Sequence, residues 1–207
     1  MGEKIVRPLK RRVAWGISGS GDQIIEIINV MKNNQQKYDV DIRVFVSKSG
    51  EQVLQWYKQY DDLSKNFDKV FIEKNPNVPF LAGDLQSGKY DFFVIAPTSS
   101  NTTAKISLGI GDTLLSNAAS MASKSSVPVY ILPCEYGFGT TNTVLPDGSV
   151  LNLRIRKEDT EHIERLQKME DVYLIKTPGE IIQLFSQHYN VLTPATRART
   201  PETTPEP

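Results

Sequence analysis

Residues 94–118 read VIAPTSSNTTAKISLGIGDTLLSNA. The segment opens as a short apolar run, breaks at Pro97, and passes at once into Thr98, Ser99, Ser100, Asn101, Thr102 and Thr103 before a helix-like stretch. An apolar strand without alternation suits a parallel sheet covered on both faces. Pro97 has no N–H for a ladder, so the strand is expected to stop there. Ser99 or Ser100 is expected to cap the helix that follows. Capping needs one hydroxyl, and the surplus of polar groups points to a ligand at the strand end.

The same grammar runs along the chain. RVAWGIS, VDIRVFVS, DKVFIE, YDFFVIAP, VPVYILP and DVYLIK are strand-length apolar runs, and DQIIEIINVMKNN and EQVLQWYKQY are amphipathic segments between them. This alternation predicts a doubly wound parallel sheet with helices on both faces, a Rossmann-like or flavodoxin-like three-layer α/β sandwich. Two prolines and two glycines in NPNVPFLAGDLQSGK predict a loop with at most a short helix around residues 80–85. TNTV and VLNLRI flank a Pro-Asp-Gly turn and predict a small hairpin or flap, and two further helices close the domain. Residues 12–190 are expected to form one domain. Residues 1–11 are expected to be an arm, and residues 191–207, rich in Pro, Thr and charge, a flexible tail.

Twenty-four basic residues balance 24 acidic ones, so no global field favours nucleic acid or an anionic membrane, and neither is expected as a partner. The single cysteine, Cys134, excludes an internal disulfide framework and a four-cysteine metal centre, and suits a reducing cytoplasm. No metal site is read.

In an open parallel sheet ligands sit beyond the carboxyl ends of the strands. Three of those ends are alike: GISGSGD at residues 16–22, SKSG at residues 47–50 and PTSSNTT at residues 97–103. Gly16, Gly19 and Gly21 allow a tight turn and close backbone approach, and the N–H groups that open the next helix favour a phosphate. Taken alone, that stretch reads equally as a strand-to-helix turn capped by Ser20 or Asp22. The second hydroxyl-bearing turn, with Ser47 and Ser49, favours the phosphate. The lysine of a Walker loop and the glycine spacing of a dinucleotide fingerprint are both missing. Alcohols that donate and accept without net charge suit a cofactor combining a phosphate with a polar heteroaromatic edge. Cys134, Trp15, Trp56 and Tyr57 are read first as packing residues, and Lys105 as a solvated helix lysine with the option of offsetting phosphate charge.

GISGSG, the serine turn and the pattern AP-x-S-x-NT-x-AK-x-x-x-G-x-x-D-x-LL-x-N resemble the FMN-binding flavoproteins, the family of phosphopantothenoylcysteine decarboxylase, the lantibiotic cysteine decarboxylases and the archaeal flavoproteins. The likeness spans residues 12–175. It implies FMN held through its phosphate by Gly16, Ser18, Gly19 and Ser20. Ser47, Lys48 and Ser49 would reach the flavin side. Pro97, Thr98, Ser99, Asn101 and Thr102 would lie along the phosphate, ribityl chain or ring, with Cys134 after the fifth strand at the pocket wall. It also implies homo-oligomers built from trimers. The decarboxylase branch carries a histidine between strands three and four and a Pro-Ala-Met-Asn run after strand five. Here the first interval has no histidine and the second reads PCEYG. WGISGSGD and NPNVPFLAGDLQSGKYDF instead resemble the archaeoflavoprotein branch, which implies an electron-transfer oxidoreductase fed by ferredoxin or another low-potential donor. The alternative is a dihydromethanopterin reductase, in which Asp84, Glu135 and Tyr136 are candidate proton donors by position. The catalytic residues are otherwise unassigned.

Overall fold

The structure, a computed structural model, describes residues 11–190. Most of the expected arm and all of the expected tail lie outside the described residues. Strands alternate with helices: β1 (Arg12–Ile17), α1 (Ile24–Tyr38), β2 (Asp41–Val46), α2 (Lys48–Trp56), α3 (Tyr60–Asn66), β3 (Val70–Ile72), α4 (Leu81–Gln86), β4 (Phe92–Thr98), α5 (Ser100–Ser107), α6 (Leu114–Ser123) and β5 (Val129–Pro133). The hairpin β6 (Thr140–Val144) and β7 (Val150–Arg154) follows, then α7 (Lys157–Leu166), β8 (Val172–Leu174) and α8 (Pro178–Asn190). The main sheet is parallel throughout, in the order β3, β2, β1, β4, β5, β8. This is the doubly wound sandwich expected from the apolar runs.

Period-two alternation sends β1 to both faces at once. Val13, Trp15 and Ile17 join Ile24, Ile27, Ile28, Leu184 and Phe185 under α1 and α8. Ala14 faces the opposite core, where Phe93 and Ile95 of β4 meet Leu81, Leu85, Leu114, Leu115 and Ala118 of α4 and α6. Trp15 is fully buried, edge-on to Phe67 at 5.3 Å, with its indole N–H donating to the Ala96 carbonyl at 2.7 Å. It is a packing residue, as expected.

Two readings of local structure are corrected. β4 continues through Pro97 to Thr98, because its ladder to β5 shifts register between Ile95 and Thr98, where the missing proline N–H is not required. EQVLQWYKQY is not one helix. α2 begins at Lys48 and ends at Trp56; Lys58 takes φ 56°, and α3 opens at Tyr60. The hairpin and its Pro-Asp-Gly turn form as expected, with Val144 opposite Val150. Among the described residues no helix is long and apolar enough to cross a membrane.

Candidate functional site

The chain leaves β1 toward β2 and β3 on one side and returns to β4 on the other. The crevice between the ends of β1 and β4 is therefore the switch point at which such sheets bind ligands. Buried hydrogen bonds set its floor. The Ser18 N–H and hydroxyl both donate to the Pro97 carbonyl, at 3.2 and 3.0 Å, and the same hydroxyl accepts the Ser99 N–H at 2.7 Å. The Thr98 hydroxyl donates to the Ile95 carbonyl, and the Thr98 carbonyl accepts the Cys134 N–H. These bonds staple the turns after β1, β4 and β5 together.

Gly16, Ser18, Pro97 and Thr98, all expected to touch the ligand, are buried beneath the crevice. Gly16 lies within β1, where an added Cβ would stand 2.9 Å from Leu115, so it serves strand packing and not the turn. These four shape the site from below. Gly19 reaches the surface, and its lack of a side chain has a local cause: a Cβ there would lie 2.6 Å from the Cβ of Ser49, so the β1 turn can press against the first turn of α2 only as glycine.

The remaining candidates converge. Gly19, Ser47, Lys48, Ser49, Ser99, Asn101, Thr102 and Lys105 line one cavity of about 320 Å3. Ser47 caps α2 by accepting the Gly50 N–H, and Ser99 caps α5 by accepting from Thr102. Both helix N-termini therefore open on this cavity, with their partial positive charge. Ser99 is the cap the sequence offered. The other expected cap is absent: α1 starts at Ile24 without a side-chain cap, and Ser20 accepts from the Asp22 N–H just before it.

A second cavity of about 320 Å3 continues the first through Gly19, Ser99 and Asn101, and adds Ser20, Ser100, Cys134, Glu135, Trp56 and Tyr57. Together they form one trough. The Cys134 thiol donates to the Ser20 hydroxyl at 2.7 Å, and burial pushes its pKa up, so it stays a neutral thiol. Ser100 donates to the Glu135 carboxylate. Burial also raises the carboxyl of Asp22 and the Glu135 charge adds to this, against an opposing hydrogen bond from Gln23. Trp56 is exposed at the rim.

One residue central to the site had no signature. Glu73, buried just past β3, accepts the Lys48 N–H on one carboxylate oxygen at 3.2 Å and the Leu114 N–H on the other at 2.8 Å, joining the N-termini of α2 and α6. A lone glutamate after a strand carries no spacing to flag it. Lys105 is not free in solvent: it pairs with Asp112 at 2.9 Å. Two proton-donor candidates fall outside the trough walls. Asp84 is paired with Lys89, and Tyr136 meets Gln167 and Lys176. Only Glu135 of that trio lines the site. His162 and His188 lie away from the trough, hydrogen-bonded to Ser107 and Tyr130.

A doubly wound sheet whose switch point carries two helix N-termini, a lysine and a run of alcohols defines a mononucleotide-binding α/β protein. The chain belongs to the Flavoprotein family, whose sequence profile matches residues 4–187. It is 42% identical over 180 residues to an uncharacterised protein of Methanocaldococcus jannaschii, covering 87% of this chain and 97% of that one. It is 25% identical over 238 residues to the dihydromethanopterin reductase (acceptor) of the same organism, covering 86% and 97%. The structure of Burkholderia xenovorans DmrB in complex with FMN, described as a cubic protein cage for redox transfer, superposes with a TM-score of 0.77 at 29% identity, covering 90% of this chain and 99% of that one.

Proposed function

We propose that the protein is an FMN-dependent oxidoreductase that takes electrons from ferredoxin or another low-potential donor. The observation that carries this is the convergence of the three alcohol-bearing turns on one trough, in a chain of the Flavoprotein family. The donor set fits FMN. N–H groups opening α2 and α5, with Ser49, Thr102 and Lys105, would hold the phosphate, and Ser20 and Asn101 would meet the polar edges of the ribityl chain or ring. Bound FMN would supply reversible uptake of one or two electrons. The protein's own work is to fix the ring, tune its edge with hydrogen bonds and limit access. Ser18 and Thr98 hold the turns in register, and Cys134, kept neutral, adds no charge beside the cofactor.

A homo-oligomer built from trimers and a reducing cytoplasmic setting belong to the same proposal. The FMN complex of DmrB and its cage support the cofactor and an assembly. A second reading, reduction of a dihydropterin, is favoured by the likeness to dihydromethanopterin reductase. The test is the absorption spectrum of the purified protein with mass identification of its heat-released chromophore. A yellow protein that releases FMN and bleaches anaerobically with reduced ferredoxin is expected. A colourless protein that leaves added FMN in the filtrate overturns the reading.

A further inference from the structure

The two halves of the trough differ in charge. In the first, Lys48 and Lys105 stand against Glu73 and Asp112, and the N-termini of α2 and α5 tip the balance positive. In the second, Glu135 is the one charged side chain in the lining among the described residues. The Ser100 hydroxyl donates to its carboxylate and fixes it at the wall. Glu135 enters no ion pair among the described residues, and Arg156, close enough to feel its charge, is committed to Asp159 through bonds of 3.0 and 2.6 Å.

Beyond the wall formed by Gly21, Tyr57 and Leu145, a groove of about 800 Å3 runs between the start of α1 and the hairpin tip. It adds two carboxylates, Asp22 and Glu26, and no lysine or arginine. These charges reach the trough. Burial holds the Cys134 thiol up, against its bond to Ser20, and Glu135 and Asp22 both push it further in the same direction. The wall of the second half therefore stands in a negative field.

The same half is the apolar one. Val53, Trp56, Tyr57, Leu145 and Leu153 line it, which suits the faces of a flat ring, while a phosphate belongs with the helix N-termini. FMN would lie in one direction, with its ring beside Glu135. Apolar walls let a carboxylate act more strongly than it does in water. Two electrons from the donor and one proton from solvent would leave the ring with one negative charge. A carboxylate beside the ring opposes that charge and leaves the neutral oxidised ring largely untouched.

We propose that Glu135 tunes the bound flavin to low potential by opposing the charge that reduction places on the ring. The assignment rests on the FMN reading above, and adds the direction of the cofactor in the trough and the residue that weakens its reduced form selectively.

The test is a reductive titration of the FMN-loaded full chain against a reference dye in mildly alkaline buffer, followed by absorbance. Glu135→Gln, which can still accept from Ser100 but carries no charge, is expected to tighten reduced FMN relative to oxidised FMN by about tenfold, an upward shift of about 30 mV for a two-electron couple. Glu135→Asp and Ser100→Ala, which keep the carboxylate, should stay near the wild-type potential. Lys105→Gln, at the phosphate end, should weaken both redox forms alike and also leave the potential in place. A holoprotein whose potential is unmoved by Glu135→Gln, or moved as far by Ser100→Ala, overturns this proposal and leaves the FMN reading standing. So does a downward shift in Lys105→Gln with none in Glu135→Gln, which would place the ring at the other end. A chain that holds no FMN overturns both.

Discussion

The trough and the groove share a wall but are built by different means. The trough is formed mainly by turns at the ends of β1, β2 and β4, with Thr141, Thr143 and Leu153 of the hairpin on one side, and its floor is a set of buried hydrogen bonds between Ser18 and Pro97 and between Cys134 and Thr98. The outer wall of the groove is a two-stranded ribbon outside the main sheet, with all of β7 exposed. The Tyr57 hydroxyl bond to the Val144 carbonyl ties it to the body, and the Thr160 hydroxyl bond to the Gly137 carbonyl holds the segment that leads into it. The first is preorganised by the core, as a tightly held cofactor requires; the second can adjust to what it meets.

The contrast is open to challenge in three experiments. Gly19→Ala drives a methyl into Ser49 and should lower FMN affinity on the order of 100-fold, since small displacements at a preorganised site are costly. Flavin fluorescence titration measures this. An unchanged affinity would show the turn to be slack and erase the contrast. Next in size, Glu73→Gln removes the charged acceptor of two helix N-termini and should cost about 1.5–3 kcal/mol in urea unfolding of the apoprotein. The smallest effect belongs to the ribbon. Tyr57→Phe deletes one hydrogen bond, about 0.5–1.5 kcal/mol, and should hasten proteolytic cleavage within residues 140–154 while the global unfolding midpoint stays in place. A matching drop in global stability would mean that the ribbon is part of the core's cooperative unit.

The fold was legible because parallel strands buried on both faces leave continuous apolar runs, and the family because its polar signature follows one of them directly. Residues that act through contacts near in sequence were also legible: Ser99 as a cap, and Ser49 and Thr102 at the wall. Ser18 and Thr98 were read as ligand contacts because a hydroxyl at a strand end looks the same whether it faces outward or down. What decides is the partner, and the Ser18 partner lies 79 residues away. Glu73 escaped for the same reason, since its two acceptor roles join elements that meet only once the sheet is assembled. The groove was invisible because its walls, the start of α1 and the hairpin tip, are far apart in sequence, and their approach depends on where the hairpin folds back.

The hairpin sits entirely within the connection between β5 and α7 and lends no strand to the six-stranded sheet. Its tip can therefore be exchanged or lengthened at Pro146 with little disturbance to the sheet beneath, while Thr141, Thr143 and Leu153, which line the trough, stay in place. A scaffold so divided can change what it acts on by trading the tip of a single ribbon while keeping the same redox engine.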